Sequence, residues 1–218
     1  MVLSKMLKSK AKKIQLVTYF HADSHISDQF REIRENIRFL RDKNKNAIFL
    51  ITSPENGEGK STTAANLAVS MAQQKEKVLL IDANLRAPSL HTIFKVPNQS
   101  GLSNLLKGIS NIDESIYPTD VHHLDILTSG PEVFNPTEIL GGQMMTDLLK
   151  ELGSMYDVIL IDAPSVLKTT ETRVLANQCQ GVILLLQKGK TEMDKAVKTK
   201  RLLDLAHANL IGVILNDK

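Results

Sequence analysis

The sequence predicts a three-layer, doubly wound α/β domain built on a mostly parallel sheet. Three observations carry the prediction. Six short runs rich in Val, Ile and Leu recur along the chain, stretches with apolar residues every three or four positions separate them, and a glycine-rich turn joins the first run to its helix. Strands buried on both faces read as continuous apolar runs, and strand–helix alternation builds parallel sheets.

Taken in order, residues 1–23 read as a basic tail, with Lys5, Lys8, Lys10, Lys12 and Lys13 among the first 13 residues and no acid there. Ser24 to Lys43 sets Phe30, Ile33, Ile37 and Leu40 at helical spacing, with Arg31, Arg34, Arg38 and Arg41 on neighbouring faces. Residues 24–43 therefore form an amphipathic helix at the head of a single domain, 24–218. Strands are expected at Ala47–Thr52, Lys77–Asp82, Leu124–Thr128, Asp157–Asp162, Gly181–Gln187 and Leu210–Asn216. Helices are expected at Ser61–Gln74, Gly142–Leu152, Thr172–Asn177 and Glu192–Ala206. Between Ala87 and His123, Pro88, Pro97, Gly101, Gly108 and Pro118 interrupt short helical pieces, which read as a surface excursion beside the site.

A chain of 218 residues with 42% hydrophobic content can bury one sizeable core. Outside the first 13 residues, 22 basic residues stand against 24 acidic ones, so charge gives no case for nucleic acid as a partner. Five tail lysines would gain up to about 1 kcal/mol each near an anionic membrane surface, and they read equally well as a solvated tail. No apolar run approaches the roughly 18 residues of a membrane span, the first 13 residues do not form a secretory signal, and the lone Cys179 excludes an internal disulfide framework. The expected location is cytoplasmic. His21 with His25, and His122 with His123, lack a neighbouring cysteine or carboxylate that would complete a zinc set.

The chemistry is concentrated after three strands. Asn56, Gly57, Glu58, Gly59, Lys60, Ser61 and Thr62 join the first strand to its helix. Glycines let backbone N–H groups turn onto phosphate oxygens, a helix N-terminus adds positive potential, Lys60 supplies an ammonium for the β- and γ-phosphates, and Ser61 a hydroxyl for Mg²⁺. The full G-x-x-x-x-G-K-[ST] pattern fails at its first position, where Pro54 stands. The second strand delivers Asp82, with Asn84 and Arg86 on the same side by the two-residue period, and another delivers Asp162. One such Asp is commonly a cap. Two of them beside a phosphate loop suit Mg²⁺, which needs oxygen ligands opposite Ser61.

The segments from Glu55 to Thr62, Leu79 to Pro88, Leu127 to Pro131 and Val158 to Pro164 resemble the Walker A, Walker A′, Ser-Gly-Pro and Walker B segments of bacterial tyrosine kinases, the CpsD/CapB-like BY-kinases of capsule and exopolysaccharide synthesis. Asp28-Gln29-Phe30-Arg31-Glu32-Ile33-Arg34 is similar to that family's Glu-x-x-Arg-x-x-Arg oligomerisation motif, with Asp28 in place of Glu. The resemblance implies MgATP-dependent phosphorylation of protein tyrosines, with Lys60 on the phosphates and Ser61, Asp82 and Asp162 around the metal. It also implies a homo-oligomer through the Asp28/Arg31/Arg34 helix, a separate membrane-embedded activator that would hold the chain at the inner face of the membrane, and a base contact from Asn216.

Two departures leave alternatives open. Asn84 stands where the family has a second acid, and an amide neither carries charge nor takes a proton at neutral pH. The tyrosines are Tyr19, Tyr117 and Tyr156, widely separated, where the family carries a C-terminal cluster. A MgATP-binding regulator or scaffold is the first alternative. A positioning or partitioning ATPase is the second, disfavoured by Glu55 where those proteins place a signature lysine.

Overall fold

The computed structural model describes residues 16–41 and 47–217. The lysine-rich segment discussed above and the end of the expected 24–43 helix lie outside the described residues. A short helix, α1 (Val17–Phe20), leads into α2 (His25–Leu40). The Ser24 hydroxyl caps α2 by accepting from Ser27 N at 3.2 Å. Asp28 in the first turn and Arg38 in the last suit the helix dipole.

The α/β core follows as β1 (Ala47–Thr52), α3 (Lys60–Ala72), β2 (Val78–Asp82), α4 (Leu90–Phe94), α5 (Leu102–Leu106), α6 (Ile112–Ser115), β3 (Ile116–Pro118) and β4 (Leu124–Leu127). It continues with α7 (Pro136–Gly141), α8 (Gln143–Met155), β5 (Val158–Asp162), α9 (Glu171–Ala176), β6 (Gly181–Gln187), α10 (Met193–Leu205) and β7 (Leu210–Asn216). The sheet order is β3-β4-β2-β5-β1-β6-β7, parallel throughout except for β3, which pairs antiparallel with β4. All six expected strands form, so the doubly wound, mostly parallel sheet is as predicted.

Alternate residues of each strand feed two cores. Ile48, Leu50, Leu79, Ile81, Ile159 and Ile161 face the side of α5 and α8, while Phe49, Ile51, Val78, Leu80, Val158 and Leu160 face α3. Helix α3 is buried along nearly its whole length, which explains its small residues, Ala64, Ala65, Ala68, Ser70 and Ala72. Helices α1 and α2 cover its outer side. The Thr18 hydroxyl donates to Asn66 Oδ1 at 2.9 Å, and Arg34, only 7% exposed, donates from Nη1 to Ser70 O at 2.9 Å.

The excursion from Ala87 to His123 is stapled to the body by the Ser129-Gly130-Pro131 segment. Asn98 Oδ1 accepts from Gly130 N at 3.0 Å and from the Ser129 hydroxyl at 3.2 Å, and the Ser103 hydroxyl donates to Pro131 O at 2.8 Å. Gly130 sits at φ 74°, and a Cβ there would lie 2.6 Å from Ser103 Oγ, so this turn needs glycine.

Candidate functional site

Parallel pairing puts β2, β5 and β1 side by side, in register so that Asp82 lies opposite Asp162 and Ile51 opposite Asp162. The glycine-rich loop leaves the end of β1 at this same edge, the crevice in which open α/β sheets bind ligands. Gly57 at φ 75° and Gly59 at φ 98° turn the loop into α3, whose first residue is Lys60. A Cβ on Gly59 would come 2.6 Å from Asn216 Nδ2, so a larger residue there must both hold this φ and displace the Asn216 side chain.

Lys60 is almost wholly buried, and its ammonium donates to the Ser53 hydroxyl at 3.2 Å. Burial lowers its pKa, against the pull of the Asp162 and Glu58 charges. Asp82 is 0% exposed and accepts three backbone N–H groups, from Asn84 at 3.2 Å, Ser89 at 2.9 Å and Leu90 at 3.0 Å. Burial raises its pKa, and those three donors oppose the rise. Asp162 is 1% exposed, and among the described residues neither of its carboxylate oxygens has a hydrogen-bond partner. Burial and the Asp82 charge push its pKa up to about 7, against the nearby Ser61 hydroxyl and Lys60 ammonium. A buried carboxylate without partners beside a second carboxylate and a hydroxyl is a hard-oxygen donor set. It fits Mg²⁺, which takes one or two protein carboxylates and fills its remaining positions with water or phosphate.

The structure brings Asn56, Gly57, Glu58, Gly59, Lys60, Ser61, Thr62, Asp82, Asp162 and Asn216 to one edge, but several side chains do other work. The Glu58 carboxylate turns away from the loop's inner side and accepts from Glu55 N at 2.9 Å and from the Thr191 hydroxyl, which leaves its main chain as the part facing a ligand. Asn56 Oδ1 accepts from the Ser165 hydroxyl at 2.7 Å. Asn216 Nδ2 donates to Glu58 O at 3.0 Å. Strand β2 ends at Asp82, so the two-residue period stops there and Asn84 folds into a turn, donating to Ala87 O at 2.9 Å and accepting from Ala87 N at 3.3 Å. Arg86 meets the buried Glu171 at 2.8 Å. Glu55 pairs with Lys195 at 2.9 Å and with Lys168 at 3.4 Å.

Sequence reading missed Lys190 and Thr191. Both follow β6, whose end lies beside β1, and no local motif marks them. The one signal was Gly189, at φ 73°, turning the chain back towards the loop.

On α2, Asp28 and Arg31 form an exposed ion pair at 2.5 Å, whereas Arg34 is spent inside the chain on Ser70 and Glu35. Among the described residues no helix is long and apolar enough to cross a membrane, and no group of three or more His, Cys, Asp or Glu is placed to hold a metal.

An AAA-domain family model matches residues 47–197. The chain is 43% identical over 192 residues to the tyrosine-protein kinase YwqD of Bacillus subtilis (strain 168), covering 88% of this chain and 81% of that protein. It is 37% identical over 211 residues to a putative tyrosine-protein kinase, CapB, of Staphylococcus aureus, covering 97% and 92%. Among solved structures, the kinase domain of the Escherichia coli tyrosine kinase ETK superposes with a TM-score of 0.90 at 27% identity, covering 98% of this chain and 84% of that one. The chimerical protein CapA2B2 superposes at 0.88 and 38% identity, covering 92% and 88%. The septum site-determining protein MinD from Pyrococcus horikoshii, complexed with Mg-ADP, superposes at 0.67 and 26% identity, covering 78% and 69%.

Proposed function

Because the chain belongs to the bacterial tyrosine-protein kinases, we propose that it moves the γ-phosphoryl group of MgATP to tyrosine hydroxyls of protein substrates in the service of capsular or exopolysaccharide synthesis. The observation that carries the reading is the pair of buried carboxylates in register, Asp82 and Asp162, beside the loop that ends in Lys60 and Ser61. The resemblance to MinD, solved with Mg-ADP, supports the same ligand.

The backbone amides from Gly57 to Thr62 and the N-terminus of α3 hold the phosphates. Lys60, poorly solvated in its burial, gives its charge to the β- and γ-oxygens. Ser61, Asp82 and Asp162 would hold Mg²⁺, which would neutralise charge developing on the phosphate oxygens. A bond forms between the tyrosine oxygen and the γ-phosphorus, the bond from that phosphorus to the bridging oxygen breaks, and its electron pair leaves on ADP. Asp82, its pKa raised by burial, takes the tyrosine proton. The Asn84 side chain, held in its turn, adds no second acid.

We further propose a separate membrane-embedded activator, which places the chain at the inner face of the membrane, and a homo-oligomer. The likeness to the chimera CapA2B2 supports the first. The exposed Asp28–Arg31 half of α2 supports the second, with Arg34 confined to docking the helix.

Radiolabelled ATP, a cytosolic fragment of the activator and a tyrosine-rich acceptor test the reading. Phosphotyrosine should form, and Lys60→Met should lower the rate by at least about 100-fold. Tight MgATP binding without transfer, even in Asn84→Asp, would refute it and favour a regulator or scaffold, which the diverted Asn84 side chain supports.

A further inference from the structure

Amides that face a phosphate leave the carbonyl oxygens of the same peptide units facing outward, where nothing in the ligand holds them. Three consecutive carbonyls of this loop meet side-chain donors from the neighbouring strand ends. Lys190 Nζ donates to Asn56 O at 3.2 Å and Gly57 O at 2.8 Å, and Asn216 Nδ2 donates to Glu58 O at 3.0 Å. The Thr191 hydroxyl bonds the Glu58 carboxylate, whose other oxygen accepts Glu55 N, so the loop is gripped on its outer side by one short segment after β6 and by the last residue of β7. A Cβ on Gly57 would meet Lys190 Nζ at 3.0 Å, which shows how closely the ammonium rides on the main chain.

We infer that Lys190 is a positioning residue of the nucleotide site. With Asn216 it clamps the outward carbonyls of residues 56–58 and so keeps the intervening amides aimed at the phosphates before any nucleotide arrives. The inference rests on the reading that this loop binds a nucleotide diphosphate moiety. Lys190 lies close enough for its charge to lower the Lys60 pKa, but its hydrogens point at peptide oxygens, which separates its task from that of Lys60. Pre-aimed amides spare the ligand the cost of ordering the loop, so the effect belongs in affinity rather than in the chemical step.

The test is titration of full-length protein with mant-ADP and mant-ATP in Mg²⁺. Lys190→Ala should weaken both by about tenfold, roughly the worth of one charge-assisted hydrogen bond, because water replaces part of the contact at this exposed site. Lys190→Arg should restore affinity to within about threefold, since guanidinium N–H groups can also serve two carbonyls. In kinase assays Lys190→Ala should raise KM for ATP and leave kcat within about threefold. An unchanged Kd in Lys190→Ala, a loss confined to mant-ATP, or a failure of the arginine variant to rescue would each overturn the clamp. A wild-type protein that binds neither probe would instead overturn the nucleotide reading on which it rests.

Discussion

Replacing Asp162 by Asn should stabilise the nucleotide-free protein at alkaline pH, although it removes a residue assigned to the active centre. The native pKa, raised by burial and by the Asp82 charge to about 7, exceeds the unfolded value of about 3.9. The native state therefore holds the extra proton between those values, and stability falls as pH rises through the window from about 4 to 7. At about 1.4 kcal/mol per unit, the penalty above pH 7 has a ceiling of about 4 kcal/mol. That value already includes the opposing pull of the Lys60 ammonium, and the remaining discount is for an amide that fits the carboxylate's place imperfectly. A net gain of about 2 kcal/mol is the reasonable expectation. For a domain of this size that is a rise in Tm of about 4–8 °C at pH 8, falling to about a third of that near pH 5 and to nothing near pH 4. Differential scanning calorimetry from pH 5 to 9 reads it directly. Saturating MgATP should reverse the order, since only the wild type gains binding free energy. A variant less stable than wild type at pH 8 without nucleotide, or a gap that does not vary with pH, would refute the reasoning.

Arg34→Ala should cost about 2 kcal/mol and lower Tm by several degrees, because it removes the donors that tie α2 to Ser70. Asp28→Ala, which breaks an exposed pair only, should stay within about 0.5 kcal/mol in the same thermal melt. Gly59→Ala must adopt φ 98° and displace Asn216, so isothermal titration should show at least about tenfold weaker nucleotide binding. Asn216→Ala added to it should restore only part, since the backbone strain persists. Asn84→Asp loses the donation to Ala87 O, so chemical denaturation at pH 8 should show a loss of about 1 kcal/mol.

The buried strands and the acids at their ends were legible because both signals are local: a continuous apolar run, then a residue that a hydrophobic environment would not otherwise hold. What depends on distant pairing was not. Strand β3 is only Ile116–Pro118, too short for any periodicity, and exists through its bonds to β4. Helix α1 is defined by Thr18 reaching Asn66, 48 residues on. Arg34 reads as one of a row of arginines at helical spacing, and only the packing of α2 on α3 reveals that it is the buried member. The two-residue period that put Asn84 beside Asp82 assumed an extended chain, whereas the backbone turns as soon as β2 ends. Lys190 could not be found locally at all, since its partners are the carbonyl oxygens of residues 56 and 57, more than 130 positions earlier.

Asp82 and Asp162 look equivalent in sequence, each closing a strand of four apolar residues, yet the structure divides their labour. Three backbone donors fix both oxygens of Asp82, and two of these, Ser89 and Leu90, open the excursion that Ser129-Gly130-Pro131 staples down. Its carboxylate is thereby held in one rotamer and its charge partly compensated without any cation. Asp162 has no backbone donors among the described residues, and the nearby Lys60 ammonium and Ser61 hydroxyl offset only part of the cost of its burial. In the proposed metal site one carboxylate is fixed by the main chain and the other is not. There Asp82 would set the geometry, and a cation would take up the bonding capacity that Asp162 leaves unfilled.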